Sequence, residues 1–269
     1  MTFHRFAQGD YEVLLLQAQP PLTTRTADLF PDVDAGELAE AVRIAPESFV
    51  NGGEEIFFGQ TIALVRGHGK TILFDTGVPV DHERATLLKS LADAGLTAGD
   101  IDLVFLTHRD LDHVGGNLTE GRPTFPNARY AMARTEYESY KVDPVRNHFP
   151  TYVGPLEELG VFDVFEDDAE IAPGVRLVLT PGHRPGAASV LVEDSLLLAA
   201  DTWHCPAQVT FPNWTIKFDS DPELAVATRR SVIEQAATEG WQVAVPHTFR
   251  LGLGRVVDED GRMRWVSSL

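Results

Sequence analysis

Cysteine is nearly absent: Cys205 is the one thiol in 269 residues, so neither an intrachain disulfide framework nor a multi-cysteine metal knuckle can be built. A metal here would have to be held by histidine and carboxylates. Positive charge is scarce too, with 22 Lys+Arg against 40 Asp+Glu and a formal net charge of -18. A sequence-independent grip on nucleic acid or an anionic membrane surface would have to overcome that repulsion, so neither is an expected partner. Long apolar runs are missing as well. No stretch sustains the roughly 18 apolar residues of a spanning helix, and residues 1–10 hold no apolar run of signal-peptide length. The expectation is a soluble, cytoplasmic protein acting on a small molecule.

What is present is material for a core, since 43% of the residues are hydrophobic. Short β-branched or leucine-rich runs at 13–16, 62–65 and 72–74 read as strands, the last leaving into the turn Asp75-Thr76-Gly77. Residues 83–94 have helical spacing and end at Gly95, and 103–106 is again a strand. Further strands are expected at 129–133, 175–179, 189–192, 196–199 and 242–245, with helices at 135–141 and 222–237, the latter opening on Pro222. No repeat appears, so one domain over 1–269 is expected. Its exception is 19–59, which carries Pro20, Pro21, Pro31 and Pro46 and reads as a loop-rich lid or arm. As a lid it would cover a site with Phe30, Phe49, Phe57 or Phe58; as an arm it would pack on the surface or at a homodimer contact.

The chemistry concentrates in Thr107-His108-Arg109-Asp110-Leu111-Asp112-His113, four potential ligands in six consecutive positions directly after a strand. A strand end can aim His108, Asp110 and Asp112 in one direction while the turn swings His113 to a second ion, and Gly115-Gly116 permits close backbone approach. Taken alone, such a loop could equally be a solvated turn or a helix cap. Three more strands, however, each lead to one ligand-type residue: His183 in Thr180-Pro181-Gly182-His183-Arg184-Pro185-Gly186, Asp201 after Ala199-Ala200, and His247 after Val245-Pro246. Imidazole and carboxylate together suit zinc, manganese or iron.

This ordered set resembles the metallo-β-lactamase superfamily, whose His-x-His-x-Asp-His motif is followed by a Thr-Pro-Gly-His-x-Pro-Gly loop, an Asp after a strand and a late His. His108, Asp112, His113, His183, Asp201 and His247 match it, over roughly residues 60–250. The resemblance implies an α/β fold, an αββα sandwich of two mixed sheets flanked by helices. It also implies a dinuclear site, with His108, Asp110 and His183 on one ion, Asp112, His113 and His247 on the other, and Asp201 bridging. Asp110 departs from the pattern, standing where most members carry histidine. Three carboxylates against two divalent ions leave +1, which a bridging hydroxide would cancel, and the extra carboxylate opens manganese or iron beside zinc. Flavodiiron proteins of the superfamily carry a glutamate there.

Hydrolysis by a metal-bridging hydroxide is the expected reaction, with Asp112 and Asp201 as catalytic carboxylates and His204, or else His148 or Tyr152, as proton or hydrogen-bond donor. Asp75 reads as a support for the ligand loops. Arg109 and Arg184 flank ligands and are either anchors for an anionic substrate group or solvated surface residues. The stretch from Asp201 to Gln208, with Trp214, Asp221-Pro222 and Thr228-Arg229-Arg230, is similar to the branch with lactonases and methyl parathion hydrolase-like enzymes. That similarity implies a lactone, ester or phosphotriester, in an aromatic pocket supplied by the lid and the 149–152 region. Cys205 beside the site reads as a small packed residue. Two rival classes stay open: a di-iron redox enzyme, for which no flavodoxin-like electron source is present, and a non-catalytic binding protein on the same scaffold.

Overall fold

The computed structural model describes residues 2–143 and 148–269. Strands Phe3–Gln8 (β1), Tyr11–Arg25 (β2), Phe49–Val50 (β3), Glu55–Gly67 (β4), Lys70–Phe74 (β5) and Leu103–Leu106 (β6) come first. The short pair Leu118–Thr119 (β7) and Arg122–Pro123 (β8) stands apart, before Arg129–Ala133 (β9) and Phe162–Phe165 (β10). Glu170–Ala172 (β11), Val175–Leu179 (β12), Ala188–Val192 (β13), Leu196–Leu198 (β14), Gln242–Val245 (β15), Gly252–Glu259 (β16) and Arg262–Ser267 (β17) complete the set. One sheet runs β1-β2-β4-β5-β6-β9-β10 with β3 on β4, the other β11-β12-β13-β14-β15-β16-β17. Both are mixed: β5, β6, β9 and β10 are mutually parallel, as are β14 and β15, and the remaining pairs are antiparallel.

Strand periodicity explains the layering. Within β2, Val13 and Leu15 point into the core between the sheets, where they meet Phe74, Phe105, Val190 and Leu198. Leu14 and Leu16 point the other way, into a second apolar layer with Leu87 and Leu91 of the helix Leu87–Asp93. The second sheet repeats this arrangement, with Leu197 and Val243 packing outward against Val232, Ile233 and Ala236 of the helix Pro222–Glu239. Helix, sheet, sheet, helix is thus the order expected from the family resemblance. Because both faces of the central strands are covered, 103–106 and 196–198 are continuous apolar runs with no polar alternation.

The helix Pro222–Glu239 has the ends its sequence announces. The Asp221 carboxylate accepts from Leu224 N at 3.0 Å, Pro222 fills the first turn, and Gly240 closes it in the left-handed region at φ 67°. Differences arise elsewhere. The helix anticipated from 83 begins at Leu87, because Thr86 is tied by its N–H to Ala18 O and by its hydroxyl to Gln17 O. The strands β1, β10, β11, β16 and β17 carry too mixed a pattern to stand out beforehand. Segment 19–59 is far less loop-like than its prolines suggest. It continues β2 to Arg25, and Pro20 and Pro21, which cannot donate to the ladder, fall where the pairing with β4 skips from Gln19↔Gln60 to Leu22↔Phe58. It then forms the helix Ala35–Ile44, capped by Asp34, whose Leu38, Ala41 and Val42 join Phe30, Phe49, Phe211 and Trp214 in a separate apolar cluster.

Among the described residues no helix is long and apolar enough to cross a membrane. Phe105 is fully buried between the sheets. Phe105→Ala is expected to cost about 3–5 kcal/mol of folding stability, read from urea unfolding midpoints, with a change under about 1 kcal/mol contradicting the two-sheet core.

Candidate metal centre

Parallel pairing of β14 with β15 sends both strands out on one side, so the loops carrying Asp201 and His247 emerge next to each other. Strand β6 of the other sheet delivers His108 to the same edge, and Ala188 N donates to Thr107 O at 3.1 Å, stitching the 107–113 and 180–187 loops across the gap. After Asp110 the chain turns into the short helix Leu111–Val114, whose first turn brings His113 N to Asp110 O at 2.8 Å and swings the His113 ring back toward His108, centroid to centroid 3.8 Å. Two glycines make the close approaches possible. A Cβ at Gly116 would lie 2.1 Å from Thr76 O, and one at Gly182, where φ is 123°, would lie 2.2 Å from Ala225 N.

All seven residues expected to be ligands meet there, and His204 joins them. Asp201 is the hub. Its Oδ1 lies 3.3 Å from Nε2 of both His113 and His247, while its Oδ2 lies 3.5 Å from Nε2 of His108 and of His183, 3.2 Å from Nε2 of His204 and 3.3 Å from Nε2 of His247, which thus faces both oxygens. Asp112 Oδ2 faces the first group, 3.8 Å from His113 Nε2 and 3.7 Å from His247 Nε2. Asp110 Oδ2 stands 3.3 Å from His183 Nε2. Four overlapping trios are compact enough to hold an ion: His108, Asp110 and His183; His108, His113 and Asp201; Asp112, His113 and His247; and His183, Asp201 and His204.

Whether the donors suit a metal is decided by what they lack. Nε2 of His108, His113 and His183 and Oδ1 of Asp201 are buried with no hydrogen-bond partner. Buried polar atoms are ordinarily satisfied, and four orphans aimed at one space call for a cation. The far sides of the rings are held. His113 Nδ1 meets Asp75 Oδ2 at 2.7 Å, His183 Nδ1 meets Asp219 Oδ1 at 2.9 Å, His247 Nδ1 meets Gly59 O at 2.8 Å, and His108 Nδ1 meets Thr107 Oγ1 at 3.0 Å. Each contact leaves Nε2 to face inward. Asp75, at φ 74°, also accepts from Thr107 N and Oγ1, so its expected support of the ligand loops is visible atom by atom.

Titration behaviour reflects this crowding. Burial would raise the Asp201 carboxyl, but His113, His247, His204 and His108 pull it well below the usual carboxylate range. Burial likewise opposes the charge on His113, yet Asp201, Asp75 and Asp112 raise it well above an ordinary imidazole, and His183 is pushed up to about 10 against burial by Asp110, Asp219 and Asp201. His204 goes the other way, down to about 4, because burial dominates.

Some expectations are corrected. Arg109 and Arg184 are neither anchors for substrate nor solvated, each being 2% exposed. Arg109 donates Nε to Glu136 Oε1 at 2.7 Å and Nη1 to Asp143 Oδ2 at 3.0 Å, and Glu136 in turn accepts from Gly186 N. Arg184 holds Asp110. Of the four lid phenylalanines only Phe58 lines the cavity over the site, stacked on His247 at 4.2 Å. Phe30 and Phe49 are in the cluster with Trp214, and Phe57 packs against Phe249 with the rings tilted by 36°. Phe149 and Tyr152 pack in the outer layer of the first sheet, away from the cavity, whereas His148 does line it. Leu111 and Phe218 complete the wall unforeseen. Cys205 is buried, its thiol pushed up to about 11 by burial, as a packed residue should be. Asp219 escaped sequence reasoning altogether, because nothing in its spacing from His183 signals a partnership that only the fold creates.

Known proteins point the same way. The sequence profile of the metallo-beta-lactamase superfamily matches residues 56–202, more than half of the chain. The chain belongs to that superfamily. Among curated relatives, an N-acyl homoserine lactonase from Bacillus thuringiensis is 29% identical over 200 residues, which cover 72% of this chain and 70% of the relative. A probable metallo-hydrolase from Methanocaldococcus jannaschii is 28% identical over 113 residues, 42% of each chain. Among solved structures, a dizinc quorum-quenching lactonase in complex with the product N-hexanoyl-L-homoserine superposes with a TM-score of 0.87 at 24% identity, covering 99% of this chain and 97% of its own. A hydrolase of the beta-lactamase superfamily follows at 0.85 and 23%, covering 100% and 98%. At these identities the structural likeness bears on the fold.

Asp219 has a consequence for metal binding. Asp219→Asn would set an amide against the Ile216 N–H and the Arg229 guanidinium and remove the charge behind His183. Zinc affinity measured by chelator competition is expected to fall about 10- to 100-fold with the fold retained, and an unchanged affinity would show that the contact does not orient the ring.

Proposed function

We propose that this metal-dependent hydrolase opens lactone rings with water, using two divalent ions, zinc before manganese or iron, held on either side of Asp201. One observation carries the reading: Nε2 of five imidazoles lies within 3.5 Å of the oxygens of a single buried carboxylate, three of those nitrogens have no hydrogen-bond partner, and the cluster borders an open cavity of about 320 Å³. Bound there, the two ions would lower the pKa of a shared water toward neutrality and polarise the ester carbonyl. The ligands on the Oδ1 side would be Asp112, His113 and His247, and on the Oδ2 side His108 and His183, with Asp110 or His204 beside them.

The chain's own residues supply placement. Asp112 is the most exposed of the carboxylates at the centre and lines the cavity, so its free oxygen is placed to accept a hydrogen bond from the attacking water and fix its direction. Asp201 keeps its charge through burial among imidazoles and fixes the separation of the two donor sets. His204 lines the cavity in the neutral form, so it would act as a ligand or a hydrogen-bond partner rather than as a cationic acid. Phe58, Leu111 and Phe218 form an apolar wall that suits an acyl or aryl group and keeps bulk water from the ester. The choice of a lactone rests on the curated homoserine lactonase relatives, and aryl esters and phosphotriesters are the competing substrates for such a wall.

Asp201→Ala should abolish turnover of N-acyl homoserine lactones and of aryl esters, by at least about a thousandfold, while the far-ultraviolet circular dichroism stays native. Full activity in that variant would refute the bridging role. Screening zinc-loaded protein against lactones, aryl esters and phosphotriesters tests the substrate class, and a clear preference for phosphotriesters would overturn the lactone assignment.

A further inference from the structure

Arg184 grips Asp110 with two nitrogens, Nε donating to Oδ1 and Nη2 to Oδ2, both at 2.5 Å. Its Nη1 is spent on His183 O, Phe218 O and Ser220 Oγ, so the guanidinium is locked in place between the loop that carries His183 and the stretch before the helix Pro222–Glu239. A bidentate guanidinium cancels the carboxylate's charge and takes a lone pair on each oxygen. An ion drawn to Asp110 would have to settle beside a fixed cation.

Across the cavity stands another imidazole facing Asp201. The His204 ring is buried, its Nδ1 has no hydrogen-bond partner, and its Nε2 lies 3.2 Å from Asp201 Oδ2, nearer than Nε2 of His108 or His183 at 3.5 Å. The ring is held by parallel stacking on His247, with centroids 5.5 Å apart and planes 5° apart, and its backbone N–H is fixed by Gln208 Oε1 at 2.6 Å. His204 therefore stands with His108, His183 and His247 around one carboxylate oxygen, the last of these being as near to Oδ1, and Asp110 is the residue with another engagement.

We propose that His204, not Asp110, completes the first metal site. This rests on the two-ion reading above and deepens it: the histidine that the 108–113 motif lacks is supplied by the loop after β14, while Asp110 and Arg184 form a neutral pair at the wall. The first site is then His108, His183, His204 and Asp201 Oδ2, the second Asp112, His113, His247 and Asp201 Oδ1. Nitrogen-rich donors of this kind favour zinc over the harder ions that a third carboxylate would admit.

Metal content decides it. The full chain is loaded with excess zinc, desalted, and measured by elemental analysis beside Asp110→Asn and His204→Ala. The expectation is two zinc ions per chain in the parent and in Asp110→Asn, and one in His204→Ala. Loss of an ion in Asp110→Asn, or two ions retained in His204→Ala, overturns the assignment while leaving the two-ion reading standing. Fewer than two ions in the parent removes both. Should His204→Ala fail to fold, zinc X-ray absorption of the parent distinguishes the same alternatives, since five imidazoles shared by two ions support the proposal and four overturn it.

Discussion

A carboxylate with almost no access to water, surrounded by five imidazole rings, is the constraint around which this molecule is organised. Burying the Asp201 charge would be prohibitive without compensation. Compensation comes from rings that reach it out of different parts of the chain, His108 and His113 after β6, His183 after β12, His204 after β14 and His247 after β15. No local structure could assemble that set. It needs two sheets packed face to face with their strand ends at one edge, so the inter-sheet core of Phe74, Phe105, Val190 and Leu198 is a precondition of the site as well as the source of stability. Burial of the core fixes the sheets, the sheets fix the strand ends, and the strand ends fix where the nitrogens point.

Outside the rings, a layer of carboxylates and carbonyls converts approximate placement into a defined one. Asp75, Asp219 and Gly59 O each hold the outer nitrogen of one histidine, and they come from β5's exit, the approach to the helix Pro222–Glu239, and β4. Elements that contribute no inner donor therefore still govern the centre. Phe58 adds a parallel stack on His247, which ties the cavity wall to the same ring.

Much of this was legible in the residues alone, and the reason is physical. Strands covered on both faces are apolar along almost all their length, so 103–106, 130–133, 196–198 and 243–245 announce themselves, and chemistry placed directly after an apolar run is conspicuous. What stayed hidden depends on partners distant in sequence. Nothing around Arg184 distinguishes a surface arginine from one clamped on Asp110, and nothing around Asp219 links it to His183. The segment 19–59 misled because its prolines suggest loop, whereas β2 tolerates them at a break in pairing with β4. Alternating polar residues in β16 and β17 likewise concealed two strands that close the second sheet.

Charge separates the rival classes of function. A third carboxylate free to bind metal would harden the first site and favour iron and redox chemistry. On the assignment proposed above, Arg184 offsets that charge without removing the residue, which would leave two effective carboxylates, Asp112 and Asp201, for two divalent ions. That surplus of positive charge is suited to polarising a neutral ester and lowering the pKa of a water. Were the substrate a lactone, as proposed, it would enter without charge, its opening would create a carboxylate, and a protein with a formal net charge of -18 would disfavour retaining the new anion. Attraction at the metal centre set against the chain's excess of carboxylates would then admit an uncharged ring and favour release of the acid made from it.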